Sequence, residues 1–192
     1  MHDVLDKTTA PVLFTHSNAR AITPHPRNVP DSILARLPKN GGVVMMTFVP
    51  GFVSQAVANY GAQVTAVRDS IAKRFPNDND AQFKAVAAWR ETHPTPIATI
   101  TDVADHLDHI AKRIGADHVG LGGDMDGIEV TIAGMEDVST YPALFIELAR
   151  RGWSQQDLEK LASRNLLRVL KAAEVYAASQ RGVAPLENPT FF

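Results

Sequence analysis

The sequence predicts an α/β fold with parallel strands, on three observations. Two apolar runs without alternation, Pro11–Ser17 and Gly41–Phe48, read as strands covered on both faces. A third run, Val119–Asp124, begins apolar and turns glycine-rich. Amphipathic helical stretches separate these runs, and no tight hairpin signal joins one strand to the next. The expected order is α-β-α-β-(insert)-α-β-α-α.

The bulk composition narrows the function classes. A chain of 192 residues with 45% hydrophobic and 21% charged side chains can bury a sizeable core. A net charge of −2 with no strong basic block argues against nucleic acid or an anionic membrane surface as partner. There are no cysteines, so any metal must be held by His, Asp or Glu. No run approaches the roughly 18 apolar residues that span a bilayer. The segment from Met1 to Lys7 lacks the basic and apolar regions of a signal peptide.

Taken in order, residues 1–8 read as the last turns of a helix whose beginning is absent. The Pro11–Ser17 strand leads into a loop over 17–30, stiffened by three prolines. A short helix over about 31–37 follows, with Asp31 or Ser32 as N-cap and Leu34 and Leu37 inward. After the Gly41–Phe48 strand, Pro50-Gly51 breaks the chain, and residues 54–98 form an insertion of two helices, about 54–75 and 79–92.

Thr101–Gly115 is the clearest helix, with Thr101 as cap, a Val103, Leu107, Ile110, Ile114 stripe and Gly115 as stop. Beyond the third strand, a helix over 141–151 carries Pro142 in its first turn. The last helix opens with Ser154-Gln-Gln-Asp157 and runs to about 178 on Leu158, Leu161, Leu166 and Leu170. The tail after Gly182, ending in Phe191-Phe192, is expected to be extended or loose. The whole reads as one domain over 1–192.

Chemistry concentrates at the predicted strand ends. Val119-Gly-Leu-Gly-Gly-Asp124-Met-Asp126-Gly127 delivers two carboxylates, and its glycines permit a close backbone approach and, at Gly127, a positive-φ turn. Alternation would place Asp124 and Asp126 on one side; the bland reading is a turn with solvated aspartates. His16 ends the first strand, as a metal ligand, a general base or a hydrogen-bonded structural residue. Arg27 either grips a substrate carboxylate or makes a surface ion pair. A His, an Arg and an Asp facing one crevice suit a metallo-hydrolase. By contrast, Asp105-His106-x-Asp108-His109 is expected to pair along its helix surface rather than bind metal, and Asp124-Met-Asp126-Gly lacks the spacing of a calcium loop.

Several ordered motifs together resemble the membrane (renal) dipeptidase family. They are Thr15-His16-Ser-Asn-Ala-Arg, Arg27-Asn28-Val-Pro-Asp, Ala104-Asp-His-Leu-Asp-His-Ile and Gly120-Leu-Gly-Gly-Asp124-Met-Asp-Gly. Glu136-Asp-Val-Ser-x-Tyr-Pro and Asn165-Leu-Leu-Arg-Val extend the likeness towards the C-terminus. The resemblance implies a TIM-type (β/α)8 barrel with two zinc ions that hydrolyses dipeptides. It assigns His16 to zinc, Arg27 and Asn28 to the motif that binds the substrate carboxylate, and Asp124 to the catalytic proton. Phe52 stands where some members carry a substrate-binding tyrosine.

The family's His-x-Asp pair, bridging glutamate and a further histidine have no counterpart among these residues. The expectation is therefore a C-terminal portion, about strands six to eight, with an incomplete zinc site. Such a chain alone should be inactive and poorly soluble. The alternative is a half-barrel module that pairs with an N-terminal half chain or forms a homodimer. Localisation stays open, since an export signal would lie in the missing half.

Overall fold

The computed structural model describes residues 1–183, and the expected tail with Phe191-Phe192 lies outside them. One parallel sheet runs in the order β1 (Leu13–Phe14), β2 (Val43–Thr47), β3 (Val119–Gly123). Every residue of β2 is buried, which is why its sequence does not alternate. On one face Val44 and Met46 join a core with Val103, Leu107 and Ile110 of helix α7 (Ile100–Ile114) and Leu144 and Leu148 of α8 (Tyr141–Arg150), helix numbers following chain order. On the other, Val43 and Met45 pack on Leu166 and Val169 of α10 (Asn165–Ser179).

The faces of the sheet are thus covered, while the outer edges of β1 and β3 have no strand partner among the described residues. Leu170, expected to face inward, is exposed, because one helical step of about 100° turns it away from Val169 and the sheet. Asn165 anchors this helix to the root of β3, donating to the carbonyls of Ala116 and Val119 at 2.7 and 2.8 Å.

β1 is shorter than the sequence predicts. The chain turns at Thr15–His16, and pairing with β2 continues by other means. Ser17 N–H donates to the Met45 carbonyl at 3.1 Å. The Asn18 side chain then acts as a surrogate strand residue: its amide donates to the Thr47 carbonyl (3.2 Å) and its Oδ1 accepts from Thr47 N–H (3.0 Å). A backbone turn and a completed ladder therefore coexist.

The short helical segment α1 spans His2–Lys7, as expected. The predicted single helix at 31–37 is two, α2 (Asp31–Leu34) and α3 (Leu37–Asn40), with Leu34 and Leu37 inward. Pro30 rather than Asp31 or Ser32 occupies the cap, and Asp31 instead bonds His109 (2.8 Å) and Arg113 (3.1 Å) on α7. The cap of α7 is Thr99, not Thr101. Asp102 reaches back to accept from the Thr99 N–H (2.7 Å) and hydroxyl (2.9 Å) in a capping box.

These contacts overturn the expected Asp–His pairs along α7. Asp102 is spent on the cap, Asp105 pairs with Arg151 at 2.6 Å, and His106 is fully buried. Asp108 takes bonds from Trp153 Nε1 (2.7 Å), Lys112 (3.2 Å) and Arg151 (3.3 Å). Burial opposes its ionisation, but the Trp153, Lys112 and Arg151 bonds outweigh this and hold its carboxyl below the usual range. A depressed folded pKa adds stability above the unfolded value, and that stability is lost as pH falls through the folded value. Asp108→Asn is therefore expected to cost about 1.5–3 kcal/mol at neutral pH. Urea unfolding across the acid range should show the gap to wild type closing as pH falls.

After α4 (Pro50–Val53), the 54–98 segment forms the two helices predicted, α5 (Gln55–Arg74) and α6 (Asn79–Thr92). Asp78 caps α6 through the Ala81 N–H at 2.9 Å. Trp89 stacks on His93 at 4.2 Å and leans on Tyr60 at 5.6 Å. The pair buries little against the sheet: Val64 is the one buried residue recorded on these two helices. A groove of about 440 Å³ between them is lined by Ile71, Phe83 and Val86 with Arg68 and Arg90. α9 (Gln155–Glu159) starts on Ser154, whose hydroxyl accepts from Asp157 N–H as its motif predicts, and leads through a π-helical turn, Lys160–Arg164, into α10.

Candidate active site

The C-terminal end of β3 is built around a bulge. Met46 pairs with Leu121 and Thr47 with Gly123, leaving Gly122 as the extra residue. A Cβ on Gly122 would overlap the Thr15 carbonyl oxygen and stand 3.1 Å from those of Met45 and Met46. Only glycine lets the end of β1, beside His16, press against the end of β3, beside Asp124. The same bulge breaks the simple alternation that the sequence suggested for Asp124 and Asp126.

Beyond it, Gly123 and Asp124 both adopt positive φ, 64° and 82°. Gly127, expected to need positive φ, does not; it closes a 3-10 turn over Met125–Gly127. Its lack of a side chain serves Asp124 instead, whose carboxylate oxygen occupies the space a Cβ there would take. The Tyr141 hydroxyl stands 2.8 Å from where a Cβ on Gly123 would lie, and its ring is tilted on Phe48 at 5.7 Å. Burial pushes this phenol above its ordinary pKa, which keeps it protonated. Sequence reasoning missed Tyr141, although it sits in the Glu136-to-Pro142 motif.

The His16 ring is half-exposed, with Nδ1 2.9 Å from the Thr15 hydroxyl. Arg27 is exposed, its guanidinium 5.4 Å from the centre of the Phe52 ring, and it makes no ion pair among the described residues. Phe52 also stacks on His25 at 3.8 Å. Burial first, then the charges of Arg27 and Arg20, lower the His25 pKa, so this ring is neutral at physiological pH. Phe52 therefore works as a shelf between His25 and Arg27.

Asn28, expected to meet substrate, is fully buried. Its Oδ1 accepts from Asn18 N–H (3.0 Å), and its amide donates to the carbonyls of Thr23 (2.9 Å) and Phe52 (2.8 Å). Both amide hydrogens are spent, so it fixes the loop that displays Arg27. Thr23 is likewise buried and donates to the Val53 carbonyl at 3.0 Å. With Asn18, Thr47 and His106, these residues form a fully enclosed polar network tying the 17–30 loop to β2, α4 and α7. Buried, satisfied networks of this kind hold one loop conformation.

Among the described residues, no group of three His, Asp or Glu side chains stands where it could hold a metal ion. His16 alone does not make a zinc site, which takes three or four protein ligands.

The architecture is that of a group of metallopeptidases. The chain aligns with a metallo peptidase from Rhodobacter sphaeroides, solved with a phosphinate mimic of the dipeptide L-Ala-D-Ala, with TM-score 0.65 and 28% identity over 89% of this chain and 38% of that one. It aligns with the probable dipeptidase PvdM from Pseudomonas aeruginosa with TM-score 0.71 and 26% identity, over 91% and 48%. Within that group, the sequence profile described as Membrane dipeptidase (Peptidase family M19) matches residues 1–183, and the chain belongs to this family. It is 37% identical to Dipeptidase tcpJ of Claviceps purpurea over 97% of this chain and 35% of that protein, and 35% identical to human Dipeptidase 3 over 96% and 30%. The chain thus spans about a third of the length of these curated relatives.

Proposed function

We propose that these residues form the C-terminal part, about strands six to eight, of the (β/α)8 barrel of a zinc-dependent dipeptidase that hydrolyses the amide bond of dipeptides. In this reading residues 1–192 belong to one barrel domain, with 54–98 an insertion at its rim. The observation that carries it is the Gly122 bulge, which presses the strand end bearing His16 against the one bearing Asp124. Each group has a task. Arg27, held over Phe52, binds the free carboxylate of the dipeptide. Asp124 takes a proton from the attacking water and passes it to the leaving amine, so one C–N bond breaks as one C–O bond forms. His16 lends one imidazole to a zinc centre whose remaining ligands lie outside these 192 residues.

Two assays test this. The chain is purified alone and together with the N-terminal barrel half of a family relative, and dipeptide hydrolysis and zinc per chain are measured. Turnover and zinc are expected only in the pair. Near-stoichiometric zinc with robust turnover by the chain alone overturns the incomplete site, and no turnover in either arm overturns the dipeptidase reading. In the active pair, Arg27→Met is expected to raise KM about 10- to 100-fold with kcat little changed, since a charge-assisted bond contributes about 1.5–3 kcal/mol. An unchanged KM removes Arg27 from substrate binding.

A further inference from the structure

We infer that His106 is a positioning residue for the site, a strut that carries the rigidity of α7 into the 17–30 loop, which follows His16 and bears Arg27, and into the short helix α4, which bears Phe52. This rests on the dipeptidase reading only for what those two segments do. The side chain is fully buried, yet it makes no ion pair. Ala19 N–H donates to Nδ1 at 3.0 Å, so Nδ1 carries no proton, and the Nε2–H must donate to the Val53 carbonyl, 2.8 Å away. The tautomer is therefore set by two backbone groups separated by 34 positions, one in the 17–30 loop and one at the end of α4. Burial, outweighing the Val53 bond that favours charge, lowers the imidazole pKa and agrees with this neutral form.

Each contact sits beside a functional segment. Ala19 follows the turn of His16 and bridges to Val29, next to Arg27-Asn28. Val53 ends α4, one residue after Phe52, and its carbonyl takes a second bond from Thr23. Helix α7 is itself held by its capping box and by the Arg151 and Asp31 ion pairs, so it is a firm mount for such a strut.

Three substitutions separate positioning from simple stability. In His106→Asn the amide oxygen lies near the Nδ1 position and keeps the Ala19 bond, while in His106→Gln the amide nitrogen reaches the Nε2 position and keeps the Val53 bond. Both retain one bond and should have similar Tm; His106→Leu keeps neither. Amide exchange on this chain is expected to show Ala19 N–H protected in wild type and His106→Asn, and exposed in the other two. In the active pair, kcat/KM per folded molecule should fall about 10- to 100-fold for His106→Gln and less than about threefold for His106→Asn, the scale of a small misplacement of reacting groups. Activities that instead follow Tm, equal for Asn and Gln, overturn positioning. Unchanged Ala19 exchange in His106→Leu overturns the strut even if no dipeptide is hydrolysed, a result that would sink the dipeptidase reading separately.

Discussion

Asparagine in place of Asp124 is expected to lower kcat for dipeptide hydrolysis about 10²- to 10⁴-fold, the range a positioned general acid–base contributes. Stability should hardly move. Asp124 has φ 82°, a left-handed conformation in which Asn is as acceptable as Asp. The amide is the size of the carboxylate and fits the same space over Gly127. On the proposed reading, what the substitution removes is the capacity to take a proton from water and return it to the amine. Alanine is a poorer probe, because the left-handed backbone adds about 1–2 kcal/mol of strain to the chemical loss. Measuring kcat, zinc content and Tm together gives a clear decision: full kcat in Asp124→Asn would exclude the residue from proton transfer.

Gly122→Ala is expected to cost about 3 kcal/mol or more, or to leave no folded protein, because the new methyl meets three carbonyl oxygens, of Thr15, Met45 and Met46. All three belong to the backbone of strands or their ends, so none can swing aside without breaking the sheet. Gly120→Ala is the control. There a Cβ stands 3.1 Å from Met45 Cγ and 3.2 Å from Val43 Cγ1, which can shift rotamer, so a cost of about 1 kcal/mol is expected. Urea unfolding of the two variants tests the bulge directly. Equal stabilities would mean the ends of β1 and β3 are not pressed together as described.

Much of the fold was legible because its signals are local. The run Val43–Thr47 is apolar on both faces, and the Pro142, Gly152 and Ser154 punctuation gave helix limits within a residue or two. The site was less legible. His106 does lie on the buried stripe, three residues after Val103 and four before Ile110, but the aspartates on either side give this stretch the pattern of a solvated face. Asn28 is the opposite case, a polar loop residue whose motif company suggested substrate and whose burial shows a structural task.

The order of helices and strands, the helical pair over 54–98 and the glycine-rich turn that delivers Asp124 were determined by the sequence itself, through patterning and turn chemistry that act over a few residues. Only the tertiary structure decided that Gly122 is a bulge, that Asn18 completes the ladder beside β2, and that His106 joins the 17–30 loop and α4 to α7. Those outcomes depend on which distant backbone groups are left without partners once the strands pack. The strength of a buried hydrogen bond and the cost of an unpaired one settle them, and neither can be read from neighbours along the chain.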